Sequence, residues 1–339
     1  MPAEWAPHAA TWLGWPHEKT DWPGKFAPIP WVYGDIVRRL AQVERVRILV
    51  EDAAAERAAR RVLGKCQANL DAVDFFRVPT NRGWTRDFGP VFVKNDTGEI
   101  GVTNWKFNAW AKYGDGAKDD AVNAKLARRL KWKMWEPESR GRRVVLEGGS
   151  IEVNGRGTLL TTEECLLSAE QARNPGLSRE DLEQVFRDYL GVTHVLWLKH
   201  GIAGDDTHGH VDDLARFVNP TTVVTVVEEV KSEANYEPLR ENVALLQTMK
   251  DQDGRPLRVE TLPMPEPVFF AGQRLPASYA NFYIANRTVL VPTFNDPRDA
   301  MALTRLGALF PDRRVIGIAC LDLVLGLGTL HCMTQQEPE

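Results

Sequence analysis

Cysteine is scarce in this chain. The four, at 66, 165, 320 and 332, stand far apart and form no C-x-x-C pair, a spacing that fits neither a zinc cluster nor a disulfide scaffold. Reduced thiols of a cytoplasmic protein remain, any one of them free to be a nucleophile. A basic excess is also missing. The 42 Lys and Arg against 46 Asp and Glu leave a formal net charge of −4, so nothing is there to displace counterions, and no nucleic-acid partner is expected. Long apolar runs are absent too: Val223 to Val227 is strand-length, far short of the roughly 20 residues that span a bilayer. The opening MPAEWAPHAATW has neither a basic start nor an apolar stretch, so no signal peptide or membrane partner is expected and the cytoplasm is the expected location. No G-x-G-x-x-G follows a first strand and no P-loop occurs, which argues against the dinucleotide and nucleoside-triphosphate folds. Tryptophan, by contrast, is plentiful: eleven, eight of them before residue 111. Some will be packing residues, but indole faces also attract ammonium and guanidinium groups and could wall a pocket for a flat cation.

Helical periodicity followed by a β-rich run recurs along the 339 residues. Helices are expected to begin near Ala53, Asp119, Arg179, Glu237 and Asp296, at intervals of 66, 60, 58 and 59 residues. Ser178 with Asp181 forms a capping box, Pro238 suits a first helical position, and Asp296 with Pro297 reads as an N-cap and first-turn proline. The strands expected after them are Val73 to Val78, Val144 to Glu147, His194 to Leu198, Leu257 to Leu262 and Arg314 to Ile318. Equal spacing marks a repeat architecture. Five units are too few for a (β/α)₈ barrel, and an α/β ring with pseudo-fivefold symmetry follows, closed by the logic of a propeller. A doubly wound sheet is the competitor. With no linker in view, residues 1–339 read as one domain of five helix–strand modules.

After each expected strand lies the most polar or unusual segment of its unit: WTRDFGP (84 to 90), LEGGS (146 to 150), DDTHGHVDD (205 to 213), SYANFYIAN (278 to 286) and GLGTLHCMTQQ (326 to 336). In a ring these would converge. They carry Asp87, Glu147, His210, Asp212 and Cys332. A cysteine with a histidine suffices for covalent catalysis at an electrophilic carbon. Acids beside a thiolate suit no peptidase, but paired carboxylates can grip the N–H fork of a guanidinium. Each residue also has a plainer reading: Cys332 as an inert buried thiol, His210 as structural, Asp87 as a surface ion pair with Arg86, Glu147 as the end of a strand at a Gly-Gly turn. Gly326 and Gly328 favour the sharper reading of Cys332, since glycine permits close backbone approach to a ligand. His210 and Asp212, two apart, would share a side in extended chain, whereas His331 would point away from Cys332. Cys320 reads as core; Cys66 and Cys165 show nothing. The string His208-Gly209-His210-Val211-Asp212-Asp213 is one residue from the H-x-H-x-D-H of binuclear zinc hydrolases, but such sites need further histidines downstream and only His331 remains. No metal or cofactor is expected. A non-catalytic binder of cationic ligands is the competing class.

In this order the segments resemble the agmatine deiminase family, a branch of the guanidino-modifying pentein superfamily that also holds bacterial peptidylarginine deiminases. The resemblance runs from EWAPHAATWLGWPH at residue 4 through NWKFNAW (104 to 110), LEGGSIEVNGRGTLLTTEECLL (146 to 167), GHVDDLARFV (209 to 218) and NFYIAN (281 to 286) to HCMTQQ. It implies a five-bladed α/β propeller that hydrolyses a guanidino group to a ureido group, most simply agmatine to N-carbamoylputrescine, with free or peptidyl arginine as the alternative. It further implies Cys332 as nucleophile, His210 as acid/base, Asp87, Glu147 and Asp212 around the guanidinium, Trp84 and Trp110 along the channel, and Asn281 among the substrate-binding residues. A homodimer is compatible with it. The chain departs from the family in two places: Gly326-Leu327-Gly328-Thr329-Leu330-His331-Cys332 stands where G-G-G-N-I-H-C is common, and the segment after N-A-W is short. Asp115, Asp119 and Asp120 there are expected to form an acidic lip for a distal ammonium.

Overall fold

A computed structural model describes all 339 residues. Five of its sheets share one plan, in which an antiparallel pair is followed by a helical crossover to a third strand parallel to the second. In chain order they are Val91–Lys94, Ile100–Thr103 and Lys133–Trp135; Glu152–Val153, Thr158–Thr162 and His194–Leu198; Ala215–Asn219, Thr222–Val227 and Arg258–Pro263; and Tyr283–Ile284, Thr288–Thr293 and Arg314–Ala319. The fifth is composite. Its strands His8–Gly14, Arg45–Val50 and Val73–Arg77 run parallel, and the C-terminal Thr334–Pro338 lies antiparallel on the first, with Leu13 opposite both Thr334 and Ile48. The middle strands are β-branched and buried along nearly their whole length, as in Thr222–Val227. The crossover helices bury one stripe each: Arg179–Leu190 turns Leu182, Val185, Phe186 and Leu190 inward. No helix is long and apolar enough to cross a membrane.

Four expected helices lie at Ala53–Lys65, Arg179–Leu190, Tyr236–Thr248 and Asp299–Leu309, and the fifth is split into Ala117–Asp120 and Val122–Leu130. The Ser178–Asp181 capping box is present. Pro238 falls at the third position of its helix rather than the first. Asp296 and Pro297 stay outside theirs: the carboxylate of Asp299 accepts the N–H of Phe294 and of Asp296, so this turn is stapled from within the helix. The strand expected at Val144 to Glu147 contracts to a single parallel bridge between Val145 and Lys106, and the opposite edge of Val145 is taken by the side chain of Asn174, which holds both its N–H and its C=O (2.8 Å each). One helix was not expected, Ile29–Leu40, which hides behind Pro28, Pro30 and Gly34. Gly34 is needed there: a Cβ would collide with the sulfur of Cys66, which packs against it from the next helix.

Candidate active site

Each of the five expected segments connects the last strand of one sheet to the first of the next, and all five meet. Asp87 lies on the single turn Thr85–Phe88, Glu147 precedes the turn Gly148–Ser150, His210 precedes the turn Val211–Asp213, and Cys332 follows the turn Leu323–Gly326. His210 and Asp212 therefore share a site through a tight turn, not an extended strand. His210 Nδ1 stands 3.8 Å from Asp87 Oδ1 and 4.0 Å from Asp212 Oδ1, and its Nε2 3.8 Å from Glu147 Oε2. Cys332 Sγ is 3.6 Å from Asp212 Oδ2 and receives a hydrogen bond from Asn281 Nδ2 at 3.0 Å. Gly149 sits at the centre: a Cβ there would come within 2.5 Å of His210 Nδ1, 2.9 Å of Asp87 Oδ1 and 3.1 Å of Asp212 Oδ2.

Four buried polar atoms here have no hydrogen-bond partner in the protein: Glu147 Oε2, both ring nitrogens of His210, and Asp212 Oδ1. Buried polar groups are rarely left so, since each costs about 1–3 kcal/mol. Their clustering marks a place built for a polar guest. Burial and the charges shape the protonation. Burial works against a charged His210, but Asp87, Cys165 and Glu147 outweigh it and hold the imidazole well above its usual range. Burial also raises Glu147, yet Arg173, whose Nε is 3.0 Å from Oε1, pulls the carboxyl down to about 2. Burial, followed by Asp212, Asp213 and Asp87, pushes the Cys332 thiol well up.

A cavity of about 530 Å³ opens onto Cys332 and Asp87 between the indoles of Trp84 and Trp110, with Asp21, Arg82, Asp206 and Leu327 also in its lining. Trp110 Nε1 donates to Asp87 Oδ2 at 2.8 Å, so this wall also anchors an acid. Ala109, Trp110 and Ala111 all take φ between +53° and +58°, a costly left-handed run of the sort found where a site holds the backbone in place.

Residues 1–338, all but the last of the chain, match the model of the Porphyromonas-type peptidyl-arginine deiminase family. This chain belongs to that family. It is 36% identical to the agmatine deiminase of Ectopseudomonas mendocina, covering all of this chain and 95% of that one. Among solved structures, the agmatine deiminase of Enterococcus faecalis is 35% identical with a TM-score of 0.91, covering 100% of this chain and 95% of the other. A cysteine-to-serine variant of the C. jejuni agmatine deiminase with substrate bound is 29% identical with a TM-score of 0.87, over 100% and 96%. An amidinotransferase from Microseira wollei, 12% identical with a TM-score of 0.52, shares the fold alone. The fold is of the pentein type.

Several features of this family member were not legible in its sequence. Glu4 lies under the site, paired with Arg86 (3.0 Å), Arg216 (2.9 Å) and His331 Nε2 (2.8 Å), and His331 Nδ1 bonds Asp212 Oδ2 at 2.6 Å. His331 thus turns away from the sulfur but grips the acid beside it. Asn281, expected to bind substrate, has its amide engaged by the nucleophile loop: Nδ2 donates to Asp213 (2.9 Å) and to Cys332, while Oδ1 accepts from Thr329 Oγ1 (2.8 Å) and His331 N (3.0 Å). Cys165, which showed nothing in sequence, lies within 4.8 Å of Glu147 and His210. That trio and Asp212, Asp213 and Cys332 have the spacing of metal ligands, but Arg173, Asn281 and His331 already hold their carboxylates. His208 faces Ser168 instead, at 3.2 Å. The expected acidic lip does not exist as such. Asp119 is fully buried and caps the backbone N–H of Asn81 (2.6 Å), Asp120 accepts from Phe107 N (2.8 Å), and only Asp115 is exposed. The acids of the mouth are Asp21 and Asp206, paired with Arg82 and Lys112 respectively. Gly326 lines the cavity, and both glycines make room for the site's own side chains: a Cβ on Gly326 would meet Trp22 and Trp84 at 2.7 Å, and one on Gly328 would meet Trp84 and the Cβ of Cys332, each at 3.0 Å.

Proposed function

We propose that this chain is an agmatine deiminase, hydrolysing the guanidino group of agmatine to a ureido group with release of ammonia. The observation that carries the chemistry is the cluster of four unpartnered buried atoms beside Cys332 and Asp87. A planar guanidinium offers the fork of N–H donors that carboxylates can take in pairs, and curated relatives along the full chain bear the agmatine deiminase name. Asp87 and Asp212 hold the cation, with Glu147 as the third acid. The guanidinium charge offsets the carboxylates that keep the thiol protonated, so on substrate binding Cys332 gives up its proton to solvent through the cavity it lines. The thiolate attacks the guanidinium carbon, and His210 protonates the departing nitrogen as ammonia leaves. His210 then takes a proton from water as its oxygen attacks the S-alkylthiouronium carbon; the tetrahedral intermediate collapses, the C–S bond breaks and the hydroxyl proton passes to the departing sulfur, leaving a neutral urea, the resting thiol and a protonated His210. Trp84 and Trp110 cover the flat faces, and Asn281 aims the sulfur.

We also propose that the five sheet units close into one five-bladed ring and one catalytic domain. The pairing of Thr334–Pro338 with His8–Gly14 and the meeting of all five segments support it. A cytoplasmic location is supported by four unpaired cysteines. One observation favours a second reading, deimination of an arginyl peptide: Arg82 lines the mouth, where a carboxylate or carbonyl could reach it.

The test is a competition assay scoring ureido product from agmatine, arginine and a C-terminal arginyl peptide, with Cys332→Ser alongside. Agmatine should win, and the variant should lose roughly 10³-fold or more in kcat. A tenfold advantage for arginine or the peptide in kcat/KM would move the substrate and leave the chemistry standing. Substantial turnover by Cys332→Ser would sink the chemistry.

A further inference from the structure

Behind the wall that carries Glu147 lies a second cavity of about 730 Å³, and its charge is opposite to that of the first. Lys106, Arg140, Arg142, Arg143 and Arg173 line it, with no carboxylate among the lining residues, in a chain whose net charge is −4. Local structure explains the concentration. Glu138–Ser139 pairs with Arg142–Arg143 across a two-residue turn in which Arg140 and Gly141 both have positive φ (52° and 74°), the geometry that suits a tight hairpin. The hairpin brings three arginines to one rim, and the bridge from Lys106 to Val145 adds a fourth cation.

Three of these cations have partners outside the lining. Arg140 reaches Asp181 at 2.6 Å, Arg143 reaches Asp120 at 3.3 Å, and Arg173 holds Glu147 at 3.0 Å. Lys106 and Arg142 have no carboxylate within ion-pair distance. A concave surface of one sign focuses the field on an incoming counter-ion, and guanidinium forks match phosphate oxygens in bidentate fashion. The volume suits a small molecule. The cationic substrate proposed above would be repelled.

We propose that this cleft binds a small phosphate-bearing anion, and that its occupancy is felt at the active site through Asn108. Arg173 backs the cleft with its side chain fully buried and all three guanidinium nitrogens engaged, by Glu147 (3.0 Å), the carbonyl of Gln171 (2.9 Å) and the carbonyl of Thr207, so it adds charge there but no free donor. Asn108, also in the lining, accepts from the N–H of Ala111 at 2.9 Å and so braces the left-handed turn that sets Trp110. An anion drawing on the Asn108 side-chain amide shifts that brace, and with it the Trp110 indole that anchors Asp87.

The test titrates the full chain with inorganic pyrophosphate by calorimetry at constant ionic strength, with citrate as a carboxylate control. Lys106→Ala/Arg142→Ala provides the variant, since neither residue touches the catalytic groups. Wild type should show one saturable site, weakened at least tenfold in the double variant, which keeps its melting temperature and basal kcat/KM. Saturating pyrophosphate should change the alkylation rate of Cys332 by iodoacetamide at least twofold in wild type and leave the variant unmoved. These readouts need no turnover, so they stand or fall apart from the substrate assignment. Absence of saturable heat, or equal binding by the variant, overturns the site. Citrate binding as tightly as pyrophosphate overturns the phosphate assignment, and an unchanged alkylation rate overturns the coupling.

Discussion

Asp87 and Asp212 face the same histidine nitrogen from 3.8 and 4.0 Å, and both are buried, yet their surroundings drive them in opposite directions. On the Asp87 side the donors are neutral: the indole of Trp110 and the backbone N–H of Gly149 at 3.0 Å. Burial raises this carboxyl, the pull of His210 works against burial, and repulsion from Asp212 and Glu147 leaves it at about 6. On the Asp212 side burial is outweighed by the hydrogen bond and Coulombic pull of His331, and the carboxyl falls below its usual range. Behind His331 stands Glu4, where burial is again overcome, by Arg216, His331 and Arg86. The lesson is that depth alone does not set an acid's charge; what lies one residue further out does. One half of the site is a permanently charged floor, and the other is a rim whose charge responds to pH and to the arrival of a cation.

The severest way to break that contrast is Glu4→Gln. It removes the acid common to Arg86, Arg216 and His331, and losing one member of a buried ionic network typically costs about 3–5 kcal/mol. Denaturant unfolding should show that loss; a change under 1 kcal/mol would mean the floor is not held from Glu4.

Asp87→Asn acts on the rim alone. It should retain the fold and lose one charge-assisted contact to the substrate, about 1.5–3 kcal/mol in kcat/KM. The pH profile sharpens this. Asp87 must be ionised to hold a cation, so kcat/KM should fall as pH drops through about 6, and that limb should vanish in Asp87→Asn. Asp212, with its pKa lowered, supplies no limb there. The stability consequence has a definite sign. Between the ordinary Asp value and about 6 the folded state keeps a proton that the unfolded chain has lost, so stability falls as pH rises across that window. A wild-type stability that rises from pH 4 to 6 more steeply than that of Asp87→Asn would contradict this.

The gentlest test is at Leu327, which lines the cavity in a left-handed conformation with φ +68°. A non-glycine residue pays about 1–2 kcal/mol there, so Leu327→Gly should raise stability by up to about 1 kcal/mol after the entropy of the unfolded glycine is offset. Unfolding measurements check this, and a loss of stability would mean that Leu327 packs usefully at the mouth.

The recurrence of helix and strand at about sixty-residue intervals was legible because it depends only on local periodicity and caps. The acids, histidine and cysteine of the centre were legible for a related reason: each follows the last strand of its unit, where a polar or glycine-rich segment interrupts the apolar pattern. The helix Ile29–Leu40 was not, because two prolines and a glycine mask a stripe that only its packing reveals. The strand expected at Val144 contracts to one bridge with Lys106, its other edge taken by the side chain of Asn174, 29 residues away from Val145.

By itself, the sequence determined the repeat, the compositional limits and the chemical identity of the groups brought to the centre, since all of these reside in residue type and near-neighbour spacing. Tertiary structure alone decided how those groups are charged and held. Glu4 reaches His331 across 327 residues and Arg173 reaches Glu147 across 26, and no local pattern encodes such pairings. A buried carboxyl's protonation depends on distances of a few ångströms in a low dielectric, a quantity that exists only once the chain has folded.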